Sequence, residues 1–222
     1  MTRRIVRLTP DRLADLGHAG VPCRACVRWE LDPVRRGRLV TDAEAAAEKD
    51  AWLSRVLRDW GSCGRVAVVD DVAVGYVAYA PPAFVPGAAS HPTAPVSADA
   101  VLMTMAYVAP AHAGAGIGRM LVQSMAADLV TRGGIRAVEA FGDTRGRTDH
   151  PGRCVVASDF LAHVGFRTHR PHATTPRMRM ELRSALTWKD EVEAALERLV
   201  GAVRPAPAPV PHLRQTQQTP DT

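Results

Sequence analysis

Apolar and polar positions along this chain change period several times, and each change marks an element. Between Asp42 and Trp60, the residues Ala45, Trp52, Leu53, Val56, Leu57 and Trp60 recur at helical spacing, predicting an amphipathic helix. Thr41-Asp42-Ala43-Glu44 reads as a capping box in front of it, and Gly61 as its stop. From Cys63 the pattern alternates instead. Val66 and Val68, a turn at Asp70-Asp71, then Val72, Val74, Tyr76 and Ala78 predict an antiparallel hairpin. Pro81-Pro82 ends it, and a loop rich in Pro, Ala and Ser runs to about Ala98.

Ala100 to Val108 is almost continuously apolar, as a central strand would be. Gly114 to Gly118 opens a helix with Ile117, Leu121, Met125 and Leu129 on one face; Gly133-Gly134 closes it, and Ile135 to Phe141 returns as a strand. Strand, helix and strand make a βαβ unit, whose strands run parallel. A polar loop from Gly142 to Gly152 follows, then a short helix from Val155 to Val164. Phe166 to His169 and Pro176 to Leu182 read as a closing antiparallel pair, and Thr187 to Val203 as a last helix. Ile5, Val6, Leu8 and Leu13 anchor a weakly patterned start, strand then turn. The fold class is α/β (α+β), with one domain over 1–186, a C-terminal helix over 187–203, and a Pro/Ala then Gln/Thr-rich tail over 204–222 expected to be disordered.

Composition narrows the class. An apolar fraction of 46% and a charged fraction of 23% are those of a globular protein. The best apolar run, Val101 to Ala109, is broken by Thr104 and falls short of the ~20 residues a membrane helix needs. Arg7, Pro10, Asp11, Arg12 and Asp15 interrupt the N-terminal apolar positions, so no secretory signal is expected and the protein is expected to be cytoplasmic, without membrane contact. A net charge of +5 suits a phosphate-rich ligand, nucleic acid or mere solubility. No basic stripe interleaved with aromatics supports nucleic-acid binding.

The most informative stretch is Tyr107-Val108-Ala109-Pro110-Ala111-His112-Ala113-Gly114-Ala115-Gly116-Ile117-Gly118-Arg119. Glycines between a strand and a helix let backbone N–H groups converge at the positive end of the helix dipole, where a phosphate or pyrophosphate fits. A P-loop would need Gly-Lys-Ser/Thr, but Arg119-Met120 follows Gly118; a dinucleotide fingerprint would need glycine at Arg119. Neither fits. A bare tight turn remains the plain alternative.

With the downstream Phe160-Leu161-Ala162-His163-Val164-Gly165-Phe166, this stretch resembles the GNAT family of acetyl-CoA-dependent N-acetyltransferases, over roughly Val66 to Leu182. Cys23-x-x-Cys26-x-x-Trp29-Glu30, Gly61-Ser62-Cys63-Gly64 and Gly75-Tyr76-Val77-Ala78-Tyr79-Ala80-Pro81-Pro82 resemble one prokaryotic branch of it. The resemblance implies a mixed, mostly antiparallel sheet splayed between the strands at Val101–Val108 and Ile135–Phe141, with acetyl-CoA in the splay. Its pantetheine would pair with backbone at Ala106, Tyr107 and Val108, and its pyrophosphate with amides of Ala113, Gly114, Ala115, Gly116, Ile117, Gly118 and Arg119. The function implied is transfer of an acetyl group to a primary amine in a ternary complex. The alternative is a degenerate acyl-CoA-binding module with a regulatory role. Homodimers are common in the family, and nothing in this sequence demonstrates one.

Two departures stand out. Ala113 replaces the Arg or Gln usual before the first glycine. Leu161 replaces the usual tyrosine that protonates the departing thiolate, and Cys154 the frequent Asn; Ser158 and His163 are the possible stand-in acids. An alkyl ammonium with pKa ~10 needs a base before it can attack. Glu139, inside an apolar strand, and Glu30, beside the paired cysteines, are the carboxylates to test; either could instead be a solvent-facing carboxylate. With no export signal, the cysteines are expected to be reduced, and Cys23-x-x-Cys26 reads as small buried thiols, half a zinc site or a thiol-chemistry pair, with no metal ligand assigned.

Overall fold

The computed structural model describes residues 2–18, 24–145 and 154–183. These lie within the compact unit Met1–Thr187. The helix expected at Thr187–Val203, the tail, Cys23 and most of the polar loop before Cys154 fall outside the described residues.

The elements are β1 (Arg3–Arg7), α1 (Pro10–His18), α2 (Pro33–Arg36), α3 (Asp42–Trp60), β2 (Gly64–Val69), β3 (Val72–Ala80), β4 (Ala100–Val108), α4 (Ile117–Arg132), β5 (Ala137–Asp143), β6 (Val156–Ala157), α5 (Ser158–His163), β7 (Arg167–Arg170) and β8 (Arg177–Glu181). Local chemistry accounts for several boundaries. The Thr41 Oγ1 accepts from Glu44 N at 3.2 Å while Glu44 Oε2 accepts from Thr41 N at 3.2 Å, so the capping box holds the start of α3. Gly61, at φ 81°, ends that helix in the left-handed region. Asp70 and Asp71 both have positive φ, 45° and 67°, the backbone twist a two-residue hairpin turn requires.

The strands form one sheet in the order β1-β2-β3-β4-β5-β8-β7, with β6 attached to β5. Every pairing is antiparallel except β4 with β5 and β5 with β6. The expected mixed, mostly antiparallel sheet is therefore present, as is the parallel βαβ unit. Two expectations shift. The segment given to a helix from Val155 begins as strand, because Val156 and Ala157 pair with Gly142 and Asp143; tertiary pairing overrides the helical pattern there. The weakly patterned start holds β1 and the helix α1, whose Leu13 and Leu16 are fully buried.

Each face of the sheet carries its own core. On one face α1 and α3 supply Leu13, Leu16, Leu53 and Val56 against Val66, Tyr76, Leu102 and Phe141. On the other, α4 supplies Ile117, Leu121, Met125 and Leu129 against Val77, Met103, Val138 and Ala140, joined by Leu161 of α5 and by Val164 just after it. Asp128 fastens α4 to the sheet: it pairs with Arg65 at 2.7 Å and Arg132 at 3.1 Å, and accepts from the Tyr79 hydroxyl at 2.8 Å. Arg132 also donates to Trp60 O at 2.5 Å and lies over the Trp60 ring. Among the described residues, no helix is long and apolar enough to cross a membrane.

Candidate active site

β5 follows β4 only from Ala100 to Leu102, ending at the Leu102–Glu139 pair. Beyond it the strands part, and the edge of β4 from Met103 to Val108 opens toward the gap, while its other edge stays paired with β3. Within that stretch Thr104 is an extra residue: Ala78 faces Met105 but Tyr79 faces Met103. A bulge of this kind breaks the ladder and turns backbone groups away from it. Thr104 itself is buried, its hydroxyl donating to Ala78 O at 3.3 Å. The sequence signalled this position only as a polar break in an apolar run.

At the far end of the opened edge, the turn Pro110–His112 leads to the start of α4. Gly114 and Gly116 have φ of 75° and 79°, a region that disfavours any side chain, and a Cβ on either would meet nothing within 4 Å. Gly116 is the N-cap of α4 and gives it no side-chain cap. The first N–H groups of a helix have no acceptor within it, so those following Gly116 face outward with the positive end of the helix dipole behind them. Glycine here does two jobs. It adopts the left-handed turn, and it leaves the approach to these donors open. Arg3 steadies the turn by donating to Ala115 O at 3.0 Å. The Ile117 side chain is buried in the core, so only its backbone faces the turn.

α5 closes over the same corner. A Cβ on Gly118 would lie 2.7 Å from Phe160 Cε2, so glycine is what lets the two helices meet. Leu161 is fully buried in the core beneath α4 and has no proton to donate. Ser158 packs its hydroxyl against the backbone of Gly142, and its buried Oγ has no hydrogen-bond partner. Arg119 Nη2 lies 3.5 Å from both Nε2 and the carbonyl of His163, tying α4 to α5.

The two carboxylates singled out from the sequence sit on the opposite face, and neither is a solvent-facing residue: Glu30 is 1% exposed and Glu139 0%. Glu30 is ion-paired with Lys49, which also donates to Cys26 O at 2.9 Å. Glu139 lies 3.2 Å from Arg179 Nη1 and 3.4 Å from Arg177 Nη1, and accepts from Ser97 N at 3.1 Å. Burial alone would raise its pKa, but the Ser97 bonds and the two guanidiniums outweigh it and hold the carboxyl below its ordinary value. A carboxylate so held is a weak proton acceptor. The structure does not bring Glu30, Glu139 and Ser158 to one point.

Near Glu139, Phe141 stacks on His91 at 4.4 Å between centroids, and His91 stacks on Trp29 at 4.8 Å. The Trp29 indole donates to Cys154 O at 2.7 Å. Cys154 and Cys26 are disulfide-bonded, which corrects the expectation of reduced thiols. The residues are 128 apart in sequence, and only the docking of the Trp29 segment against the approach to β6 brings them together. Cys63 is free and buried, and burial pushes its thiol up to about 12. Among the described residues, no group of His, Cys, Asp and Glu could hold a metal ion.

The sequence matches the Acetyltransferase (GNAT) family over residues 26–168, which spans the opened sheet, the glycine turn and α5. The chain belongs to the GNAT acetyltransferase family. No protein of curated function matches it. Among solved structures, the PaiA N-acetyltransferase from Thermoplasma acidophilum, in complex with coenzyme A, is 13% identical over 82% of this chain and 99% of its own, with a TM-score of 0.50. An N-acetyltransferase from Staphylococcus aureus Mu50 is 12% identical, covering 82% of this chain and 99% of its own, with a TM-score of 0.52. The yncA protein of Salmonella typhimurium, solved with acetyl-CoA, is 16% identical over 82% of this chain and 95% of its own, with a TM-score of 0.50. At these identities the likeness is one of GNAT fold. His91 and Arg177 escaped the sequence reading; an alternating Arg177-Met178-Arg179-Met180 strand ordinarily turns its charges to solvent, and here Arg177 is 7% exposed.

Proposed function

We propose that this GNAT protein transfers an acetyl group from acetyl-CoA to a primary amine by direct attack in a ternary complex. The observation that carries the reading is the uncapped start of α4, with Gly114 and Gly116 open at positive φ, beside the β4 edge that β5 leaves. Free backbone donors at a helix N-terminus suit a diphosphate. An opened strand edge suits the amides of a pantetheine arm. The residues present therefore fit the donor: Ala113, Gly114, Ala115, Gly116, Ile117, Gly118 and Arg119 at the diphosphate, Ala106, Tyr107 and Val108 along the arm. Ala113 offers no side-chain charge, so binding rests on backbone groups and on Arg119.

Acetyl-CoA supplies an activated acetyl thioester. The amine nitrogen bonds to the acetyl carbon, the carbon–sulfur bond breaks, the amine loses a proton and the thiolate gains one. Ser158 is the better placed of the candidate acids, because its unpartnered Oγ lies on the α4 side of the sheet, on the helix that covers Gly118. Glu139 and Glu30 serve this scheme as counter-ions rather than as bases, and the amine proton leaves to water. The rate is then expected to rise with pH toward the acceptor's own pKa, about 10 for an alkyl amine, without an earlier plateau.

Ala113 and the buried Leu161 favour one second reading, an acyl-CoA-binding module without turnover. Calorimetry with acetyl-CoA and release of CoA thiol across an amine panel separate the two. Gly116→Glu, which forces a side chain and a negative charge onto the turn, is expected to abolish acetyl-CoA binding while the fold survives. Undiminished binding in that variant would overturn the assignment of the site.

A further inference from the structure

Around Phe141 lie several buried N–H groups without a hydrogen-bond partner. Arg177 stands directly across from Phe141 in the β5–β8 register, so both side chains share the face opposite α4. Its Nε and Nη1 make no hydrogen bond, although Nη1 is 3.4 Å from Glu139 Oε2. Arg179 differs: it is held by Asp99 at 2.9 and 3.0 Å, by Glu181 at 2.5 Å and by Glu139 at 3.2 Å. On the other side of Phe141, His91 is 5% exposed, and its Nδ1 has no partner. Arg28 Nη2 lies 3.4 Å from His91 Nε2. A guanidinium has no lone pair to offer, so Nε2 accepts and the ring proton sits on Nδ1. Burial, with Arg28 and Arg36 nearby, pushes the ring down to about 4, so it is neutral at pH 7.

Every orphan in this set is therefore a donor, gathered on the aromatic edge just past the point where β4 and β5 separate. A buried donor without an acceptor is costly, and such a group in a native protein is completed by a water, an ion or a ligand. Arg28 and Arg36 make the surroundings of His91 positive, and Arg177 and Arg179 together face the single Glu139 carboxylate. What completes such a site is an acceptor-only group carrying negative charge.

We propose that the amine acceptor of this enzyme carries a carboxylate or phosphate, and that Arg177, with His91 across the Phe141 ring, is the residue that selects it. The inference rests on the acetyl-transfer reading and names the acceptor class that reading leaves open. Arg177 offers its unpartnered Nε–H to the anion while Nη1 stays on Glu139, His91 supplies a further donor in Nδ1–H, and the amine reaches toward the gap between β4 and β5 one strand away. The anion replaces no existing hydrogen bond in doing so.

Matched acceptors test it in the full chain: 3-aminopropanoate against propylamine, and 2-aminoethyl phosphate against ethanolamine, read by CoA thiol release. The expected result is roughly 10–100-fold higher kcat/KM for one anionic member of a pair, carried in KM, as loss of a charged hydrogen bond implies. Arg177→Gln removes that preference, Arg177→Lys keeps part of it, and His91→Phe, which preserves the ring stack, lowers it less. Acetyl-CoA affinity stays unchanged in all three variants. The pair that wins tells carboxylate from phosphate. A second arm needs no turnover: N-acetyl-3-aminopropanoate is expected to bind in calorimetry, and to lose that binding in Arg177→Gln, whereas N-propylacetamide does not bind. Equal use of neutral and anionic amines, or an anion preference and anion binding that survive Arg177→Gln, would overturn the inference and leave the acetyl-transfer reading standing. Anion binding that depends on Arg177, in a chain that binds no acetyl-CoA, would overturn that reading instead.

Discussion

Asp128 and Glu139 are both carboxylates enclosed by two guanidinium groups, yet their surroundings are finished to different degrees. Asp128 meets Arg65, Arg132 and the Tyr79 hydroxyl, and Ser62 lies 3.2 Å from that hydroxyl in turn; no side-chain atom of this group is left buried without a partner. Glu139 is equally well held, but its neighbour Arg177 keeps a buried Nε–H unspent, as His91 keeps its Nδ1–H across the Phe141 ring. A saturated cluster under a helix explains itself as structure. A cluster with spare donors at the rim of a gap in the sheet calls for something to fill it. The same residue types thus serve as a fastener on one face and as recognition on the other.

The largest expected effect concerns what holds the second region in place. Reducing Cys26–Cys154, or Cys154→Ser, is expected to lower stability by up to about 5 kcal/mol, given a loop of 128 residues, and denaturant melts with and without reductant would read it. Hydrogen exchange should quicken around Trp29 while the amides near Asp128 keep their protection; loosening of both regions together would argue against their independence. Next comes Asp128→Ala, which strands two guanidiniums and should cost about 3–5 kcal/mol. A change below about 1 kcal/mol would mean the fastener is ornamental.

Acid should then distinguish the regions by a known sign. His91 titrates at about 4 when folded, against its ordinary 6.5, so the unfolded chain binds the extra proton between those values. Its contribution is complete above pH 6.5 and is lost as pH falls toward 4, by about 3 kcal/mol in all. Melts of His91→Phe should lack that slope. The smallest effect is expected for Arg177→Met, below that of Asp128→Ala, because Glu139 keeps Arg179 and the Ser97 amide and the Nε–H removed had no partner. A loss as large as that of Asp128→Ala would make Arg177 a second fastener and dissolve the contrast.

Sequence legibility follows the range of the interactions. Thr41 and Glu44, Asp70 and Asp71, and Gly114 to Gly118 act on backbone a few residues away, so their roles show in the order of residues. β1 with α1 and the β6 pairing were harder, since docking rather than periodicity decides them. The site divides in the same way. The turn that presents the amides is local, whereas His91 comes from a Pro/Ala/Ser-rich loop, Arg177 from β8 and Cys26 meets Cys154 across most of the domain. Glu30 and Glu139 were visible as carboxylates, but Lys49, Arg177 and Arg179, which change their chemistry, were not visible as their partners.

The central claim is that backbone donors at the start of α4 hold the diphosphate of acetyl-CoA. Amide resonances of the full chain, followed by 15N-correlated NMR during a titration with acetyl-CoA, address it directly. The account predicts that Gly114, Gly116, Gly118 and Arg119 shift most, with protons moving downfield as they gain charged acceptors, and that Gly116→Glu erases the response. Saturable acetyl-CoA binding that leaves these amides still, and moves others far from the turn, would contradict it.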